Sequence, residues 1–488
     1  MNVFSGKEKT YQSWYGIDEE TLKINRRFNS AGTEKEGAPY FNETDNYHQT
    51  QYQAFYNKKI QAHWNISLAL FLTKGKGYYE QYKASQKLAS YGLPRYFDGV
   101  AEILKTNLVR RLWLDNAYYG TSYSVHYKGS ATKLIVGGYV ANYDGKHFGE
   151  IISAEVQGAV PRNYRWYDLN AFKKEASVYA KWTQTISPGW QTFLDVQARG
   201  VNYKINGFRY NPGLLLTNKY FFLNPKAGIA YNRNNTKAYF AFGRESKEPN
   251  REDLEAGITE APKAETLNDF ELGVEKKKSR STFGMNLFYM LYDNQLVLTG
   301  KINDVGAYTR TNIKDSYRAG MEVQGTHTFS SWLAGSGNLT ISKNKIKNYT
   351  EYLDDYDNGG QQTKLYQSST LPFSPAVTGN LSLNFIPVKN SLIALTGKMI
   401  SRQFLDNTSD KLRSLHPYYV QDARISYTLT RKSIKSLMFF VQVYNVFSEK
   451  YEANGYTFSY INQNKTETQN YYYPMAPINL MFGVNASF

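Results

Sequence analysis

Residues 316–329 read SYRAGMEVQGTHTF. Tyr317, Ala319, Met321 and Val323 fall on one side of a period-two alternation, and Arg318, Glu322 and Gln324 fall on the other. Successive side chains of an extended chain point to opposite faces, so the stretch predicts a strand with one apolar and one wet face. The pattern recurs along the chain. In YYVQDARISYTLT (418–430), Ala423, Ile425, Tyr427 and Leu429 oppose Asp422, Arg424, Ser426 and Thr428. NLSLNF (380–385) sets Leu381, Leu383 and Phe385 against Asn380, Ser382 and Asn384, and SLMFFVQVYNVF (436–447) puts Phe439, Val441 and Val443 on one face. Further candidates are FGMNLFYML (283–291), TKAYFAFG (236–243), EASVYAKW (175–182) and WNISLALFL (64–72). The chain ends in PINLMFGVNASF (477–488), where Ile478, Leu480, Phe482, Val484, Ala486 and Phe488 alternate with Asn479, Asn485 and Ser487.

Roughly seventeen such strands of about nine to fifteen residues can be drawn, a length suited to tilted strands that cross a bilayer. The connections alternate. Short ones lie near 129–131, 186–189, 232–235, 276–280, 387–390 and 431–435; long ones lie near 73–114, 143–172, 247–265, 347–374, 403–417 and 448–476. A soluble sandwich has no reason to put its long loops at one end, whereas a membrane barrel has short turns on one side and long loops on the other. By the same parity, residues 1–48, with the turn-rich GTEKEGAPYFNETDN, read as an extracellular loop. The expected fold is all-β, an antiparallel transmembrane β-barrel.

Composition agrees. Tyr occurs 43 times and Phe 27 times in 488 residues, which favours sheet. Mean hydropathy is −0.57, and no apolar run approaches the ~18 residues of a membrane helix. Cysteine is absent, which removes disulfides and thiol chemistry and fits a bacterial envelope protein. The net charge of +16 is scattered or sits in turns and loops, with no recognition helix or RNA-binding motif, so nucleic acid is excluded as a partner. The opening MNVFSGKEKT has no basic segment followed by an apolar one, so no export signal is visible in it.

Specific motifs narrow the class. FGRESKEPNREDL (242–254) followed by PKAETLNDFELGVE (262–275) closely resembles the mid-barrel signature of TonB-dependent outer-membrane receptors of Bacteroidetes type. FLNPKAGIAY (222–231), YDGKHFGEI (143–151), GKEKTYQSWYGI (6–17), LYDNQLVLTGKINDVGAY (291–308), YYVQDARISY (418–427) and VYNVFSEKYEANGY (443–456) resemble that family too, in order along essentially the whole chain. The resemblance implies a barrel of about 22 strands filled by an N-terminal plug, with a short box before the plug that recruits an energising TonB-type complex. Neither plug nor box is found, so residues 1–488 are expected to be the C-terminal portion of such a barrel, incomplete at about 17 of 22 strands. It further implies a Gram-negative outer-membrane location, contact with outer-membrane lipid, iron transport through siderophore uptake, and no cofactor. A C-terminal aromatic, here Phe488, is the usual address read by the barrel-assembly machinery. The alternative is a passive porin or channel.

Catalytic chemistry is thin, and no enzyme is expected. His48, His63, His126, His147, His327 and His416 are dispersed, with no H-E-x-x-H and no G-x-S-x-G. LDDYDNGGQ (353–361) places Asp355 and Asp357 before Gly359 but lacks the downstream Glu of a calcium loop, so it reads as a solvated acidic turn and no metal site is assigned. In EPNRED, Arg251 is expected to pair with Glu252 or Asp253 at a rim, and Pro225 of NPKAG to stand near a strand start or bulge. The candidate ligand residues lie in two expected outer loops. GYYEQYKASQKLASYGLPRYF (77–97) holds Tyr78, Tyr79, Tyr82, Tyr91, Arg95 and Tyr96, and PRNYRWYDL (161–169) holds Arg162, Tyr164, Arg165, Trp166 and Tyr167. Arginine with aromatics suits capture of an anionic aromatic chelate by charge-assisted bonds and stacking. Loop-to-loop packing and an interfacial aromatic belt are the competing reading of each single residue. The loops hold no His pair suited to haem, and glycan importers of the resembling phylum are usually much longer, so a siderophore-like chelate is the expected ligand.

Overall fold

Alternation becomes register in the computed structural model, which describes residues 1–256, 262–302, 308–431 and 434–487. A sheet of 22 strands dominates, and among the described residues no helix is long and apolar enough to cross a membrane. The chain divides into two units, one of residues 1–15, 29–184 and 194–225, the other of 16–28, 185–193 and 226–488.

In the first unit, Asn2–Tyr11, Thr44–Gln61, Trp64–Lys87, Lys105–Lys128, Thr132–Ala154 and Tyr164–Ser187 pair antiparallel, each with the next. In the second, the same up-and-down pairing runs from Thr236–Lys247 through Glu265–Lys278, Ser281–Ile302, Tyr308–Ser330 and Leu333–Asp355. It continues through Val377–Phe385, Ser391–Ile400, Tyr418–Arg431 and Ile434–Tyr444 to Asn479–Ser487.

Directly opposed residues of an antiparallel pair share a face, so register lines the alternations into rows. Phe240, Leu272, Leu287, Met321 and Ile341 form one row across five strands. One residue away, Tyr239, Gly273, Asn286, Glu322 and Thr340 form a polar row on the opposite face. Gly273 is required there: a Cβ would stand 2.2 Å from the Tyr239 ring that lies over it. Phe385, Ile393, Ile425, Val441 and Phe482 make an apolar row at the chain's end. Leu480, Phe482 and Val484 are exposed on this face, and Phe488 lies outside the described residues. Unpaired backbone groups are costly away from water, and complete pairing between chain neighbours satisfies them.

Three expectations are corrected. Residues 1–48 are not one loop, because Asn2–Tyr11 pairs with Thr44–Gln61 over ten positions. That strand is exposed throughout and weakly alternating, so periodicity misses it. The sheet gains it, Ile17–Asp18, Gln361–Thr370, Glu452–Asn462 and Lys465–Pro474 over the roughly seventeen strands drawn from alternation. Next, much of the expected 73–114 and 143–172 loops is strand. Trp64–Lys87 pairs with Lys105–Lys128 out to Lys87↔Lys105, and Thr132–Ala154 with Tyr164–Ser187 to Ile151↔Tyr164. Where both faces meet water, hydrogen bonding continues but the apolar signal does not. Last, Pro225 lies inside Asn211–Arg233, yet pairing of that strand with Thr236–Lys247 begins only at Lys226↔Gly243, as a residue without an amide donor requires.

Phe482→Lys, which puts an ammonium in the apolar row, should destabilise the folded protein in bilayers by about 2–4 kcal/mol. Gln442→Lys on the opposite face should change it by less than about 1 kcal/mol. Urea unfolding of the two variants in lipid vesicles checks the contrast.

Candidate functional site

Beyond the apolar rows, the two sequence-predicted segments take up distinct places. Tyr78, Tyr79 and Tyr82 stand in the Trp64–Lys87 strand rather than in a loop. Tyr78 and Tyr82 share parity with Leu68 and Leu70 and continue the apolar face, whereas Tyr79 belongs to the polar face. Tyr78 sits in a cation–aromatic ladder across four strands. The Arg111 guanidinium is 4.3 Å from its ring centre, and the ring meets Trp113 at 4.5 Å. Trp113 stacks on Phe148 at 5.6 Å, and the Arg165 guanidinium covers Phe148 at 4.0 Å. Arg165 also donates to Glu150 and Asp168, each at 3.1 Å. Tyr79 meets Trp14 edge-on at 4.8 Å, and Tyr82 packs on Tyr40 at 5.9 Å.

Tyr91 is buried at the centre of a cluster with Leu88, Leu93, Leu108, Ile151 and Ala159, and Tyr96, Tyr164 and Trp166 pack around it. Its hydroxyl donates to Gln86 at 3.0 Å and accepts from Arg110 at 3.0 Å, and its carbonyl accepts the Tyr164 hydroxyl at 3.1 Å. Trp166 stands edge-on to Tyr91 and to Tyr167, both at 5.1 Å. These aromatics therefore form the core that shapes the outer segments. Arg95, paired with Glu102 at 3.1 Å, and Arg162, in the turn before Tyr164, are exposed.

Register adds residues that sequence reasoning missed. Adjacent strand residues point to opposite faces, so Arg111 joins the ladder while Arg110 joins the polar face, donating to Gln81 at 3.1 and 2.9 Å. Arg209 lies over Tyr210 with its guanidinium 4.2 Å from the ring centre. Tyr15 feels both arginines. Burial, Tyr210 and Glu34 push its phenol up, and Arg110 and Arg209 pull it down. The available signal was the Arg110–Arg111 pair within a strand, but only register tells which of the two faces inward.

Two buried charge networks fix the outer ends. Glu80 accepts from Tyr40 at 2.7 Å, from Arg111 at 2.7 Å and from Asn42. Burial opposes its ionisation, yet the donors Tyr40, Asn42 and Arg111 hold its carboxyl below the usual range. In the second unit Arg413 is buried against Glu351 and, at 3.0 Å, Asp406. Tyr366 donates to Glu351 at 2.9 Å, and Thr408 to Asp406 at 3.0 and 2.6 Å. Burial pushes Asp406 up against the pull of Thr408 and Arg413. The network sits beside the Leu405, Leu415 and Tyr472 cluster. The Glu452–Asn462 and Lys465–Pro474 hairpin carries an aromatic stack missed as loop, with Tyr456 parallel to Tyr471 at 5.0 Å and Phe458 5.7 Å from Tyr471.

The acidic stretches do structural work. Asp355 accepts the amides of Asp357 and Asn358 at 3.0 Å and the side chain of Gln362 at 2.7 Å; the Asn358 amide leads in holding its carboxyl down to about 2. Asp357 accepts from the Gln463 and Asn464 amides at 2.8 and 2.7 Å. Among the described residues no cluster of His, Asp and Glu suited to a metal is found. At EPNRED the expectation that Arg251 pairs with Glu252 or Asp253 is corrected for Asp253. Asp253 and Asn250 cap each other's amides at 2.9 and 2.8 Å, and the cation beside Asp253 is Arg310 at 3.5 Å.

Residues 4–446 match the family model of the TonB dependent receptor-like β-barrel. The chain belongs to this family. Its members are outer-membrane β-barrels, and the wall described above is their fold. Similar solved structures include the ferric-catecholate import receptor Fiu of E. coli K12, at 15% identity and TM-score 0.62, covering 100% of this chain and 71% of that one. The siderophore receptor PiuA of Acinetobacter baumannii gives 11%, 0.66, 99% and 70%, and the ferric citrate transporter FecA 16%, 0.66, 98% and 65%. At these identities the likeness is one of fold. No curated protein matches by sequence.

Arg413→Ala leaves Glu351 and Asp406 buried without their cation and should cost about 3–5 kcal/mol, read as faster proteolysis within 401–417. Because Glu80's carboxyl is depressed in the fold, its contribution is full at neutral pH and is lost as pH falls through that depressed value. Hydrogen exchange of the 40–42 amides should accelerate on acidification in the native protein and be largely pH-independent, after correction for intrinsic rates, in Glu80→Gln.

Proposed function

We propose that this chain acts in the Gram-negative outer membrane as part of a receptor for energised uptake of a small anionic metal chelate of the ferric siderophore class. The observation that carries this reading is the pairing of arginines with aromatics at the outer end of the first unit. Arg110 bonds the Tyr91 hydroxyl, Arg209 covers Tyr210, and Arg162 and Arg165 stand in or beside the 161–164 turn. A guanidinium offers directional donors to carboxylate or catecholate oxygens, and the aromatic rings offer stacking surface. The ligands named for the receptors similar in fold, ferric catecholates, siderophores and ferric citrate, have this chemistry. Coupling to a TonB-type complex and insertion by the barrel-assembly machinery belong to the same proposal.

The test is uptake of radiolabelled ferric catecholate and ferric citrate by cells expressing the receptor as encoded, with and without a protonophore. Energised uptake should collapse with the protonophore, whereas unaltered flux marks a passive channel. Arg209→Ala and the pair Arg162→Ala/Arg165→Ala should each weaken chelate binding about tenfold or more, the worth of a lost charge-assisted bond. Unchanged affinity would remove those residues from the site.

A further inference from the structure

At the short-turn end of the second unit, charge is segregated in a way that chelate capture at the outer end does not use. Residues 229–240 and 273–284 hold the turns that follow Asn211–Arg233 and Glu265–Lys278. They carry six cations, Arg233, Lys237, Lys276, Lys277, Lys278 and Arg280, against one carboxylate, Glu275. At the opposite end of the same strands the balance reverses, and residues 244–271 hold nine carboxylates and four cations. The two turns are bonded to each other. The Lys277 amide donates to the Asn235 carbonyl at 2.8 Å, and the Lys276 ammonium to the Asn234 carbonyl at 3.1 Å and the Thr236 hydroxyl at 2.6 Å. Asn234 and Asn235 hold φ of 52° and 58°, the left-handed pair of a tight two-residue turn. On the other side the Arg280 carbonyl accepts the Thr328 amide at 2.8 Å. The cations therefore stand on a fixed edge.

Internal pairing leaves most of this charge unanswered. Glu275 is shared by Lys277 at 3.4 Å and Lys237 at 3.8 Å, and Lys276 is held by neutral oxygens. Among the described residues Arg233, Lys278 and Arg280 make no ion pair, and all three are exposed. Parity spreads the cations over both faces. Lys237 and Lys277 share the polar face with Tyr239 and Gly273, Lys276 and Lys278 stand on the side of Leu272 and Val274, and Arg280 is in the turn itself. A layer of lipid headgroups would meet only the outward pair. The arrangement is that of an edge that projects into water.

Short turns of an outer-membrane barrel face the periplasm, so the partner of this edge belongs to that side. The two turns are two strands apart, roughly 10 Å, a distance that an extended polypeptide covers in about three residues. A segment with a carboxylate at every third position would therefore set one on Arg233 and the next on Lys278 or Arg280, each through a charge-assisted bond. A lone small anion would engage one turn only. We propose that this edge docks an extended acidic segment of a periplasmic protein, with its carboxylates on Arg233, Lys278 and Arg280. The inference rests on the outer-membrane placement of the chain and is independent of which chelate is carried.

The test is fluorescence anisotropy with the purified full chain in phosphatidylcholine nanodiscs, titrated into a labelled Glu-Ser-Ser repeat peptide and into its Gln-Ser-Ser counterpart. The Glu peptide should bind, more weakly as salt rises. Each exposed ion pair is worth up to roughly fivefold in binding, so the Gln peptide should bind about tenfold more weakly or worse. Arg233→Gln/Lys278→Gln/Arg280→Gln should lose about tenfold for the Glu peptide by the same reasoning. Arg244→Gln/Lys247→Gln/Lys263→Gln, the same loss of charge at the opposite end of the strands, should lose nothing. Equal binding of the Gln peptide, or equal losses in the two triple variants, would overturn the proposal. Displacement of the Glu peptide by phosphatidylglycerol vesicles would assign the edge to lipid, displacement by soluble muropeptides would assign it to the cell wall, and either would overturn the proposal too. The comparison of the two peptides on the unaltered chain decides it even if a variant does not fold. No chelate enters this measurement, so its failure and that of the transport reading are separable.

Discussion

Within each unit every other feature depends on a ladder of antiparallel hydrogen bonds between successive long strands. In hydrocarbon a backbone amide or carbonyl without a partner costs several kcal/mol, so the ladder is the condition for having a wall there at all. The ladder also fixes parity. With Met321 opposite Leu287 on one side and Ile341 on the other, all three share a face, and Glu322, Asn286 and Thr340 must share the other. A slip of one residue would exchange the two sets and bury Glu322 in an apolar row.

Past the apolar rows the physics changes, because water reaches both faces and burial no longer selects one of them. The outer ends are held instead by a few buried charges whose hydrogen bonds are well supplied. Glu80 draws Tyr40, Asn42 and Arg111 onto one carboxylate, and Arg413 ties Glu351 to Asp406. Such networks are directional, so they set the shape of the outer segments as well as contributing to their stability. Small aromatic cores, one around Tyr91 and one around Tyr472, fill what the charges frame. The exposed arginines are presented on this fixed scaffold.

The division of labour explains which parts of the molecule could be read in advance. Tyr317, Met321, Ile425, Val441 and Phe482 were placed on the apolar face by period two alone, and register then joined them into rows. Asn2–Tyr11 could not be read in this way, because its residues scarcely alternate, Lys7 and Lys9 standing on the same side as Val3. The candidate ligand residues split for the same reason. Tyr91 on one side and Tyr164 and Trp166 on the other were read as ligand candidates of two separate segments, and their packing into one core depends on the fold of 88–93 against Ile151 and Ala159. Arg110 and Arg111 are indistinguishable by type, and only their partners, Gln81 and Glu80, separate the polar-face residue from the ladder residue.

The sequence by itself determined that this chain is a wall of up-and-down strands with one apolar face, since that information is carried by residues two apart and needs no partner to be read. Its ordered motifs also point to the receptor family. The tertiary structure decided how far each strand runs beyond the apolar rows, which arginines meet aromatics and which meet carboxylates, and which cations meet neither. Those outcomes depend on residues tens or hundreds of positions apart, such as Arg26 with Glu452 or Glu351 with Arg413. Contacts of that kind leave no local pattern, because they join residues far apart in the chain rather than residues two apart.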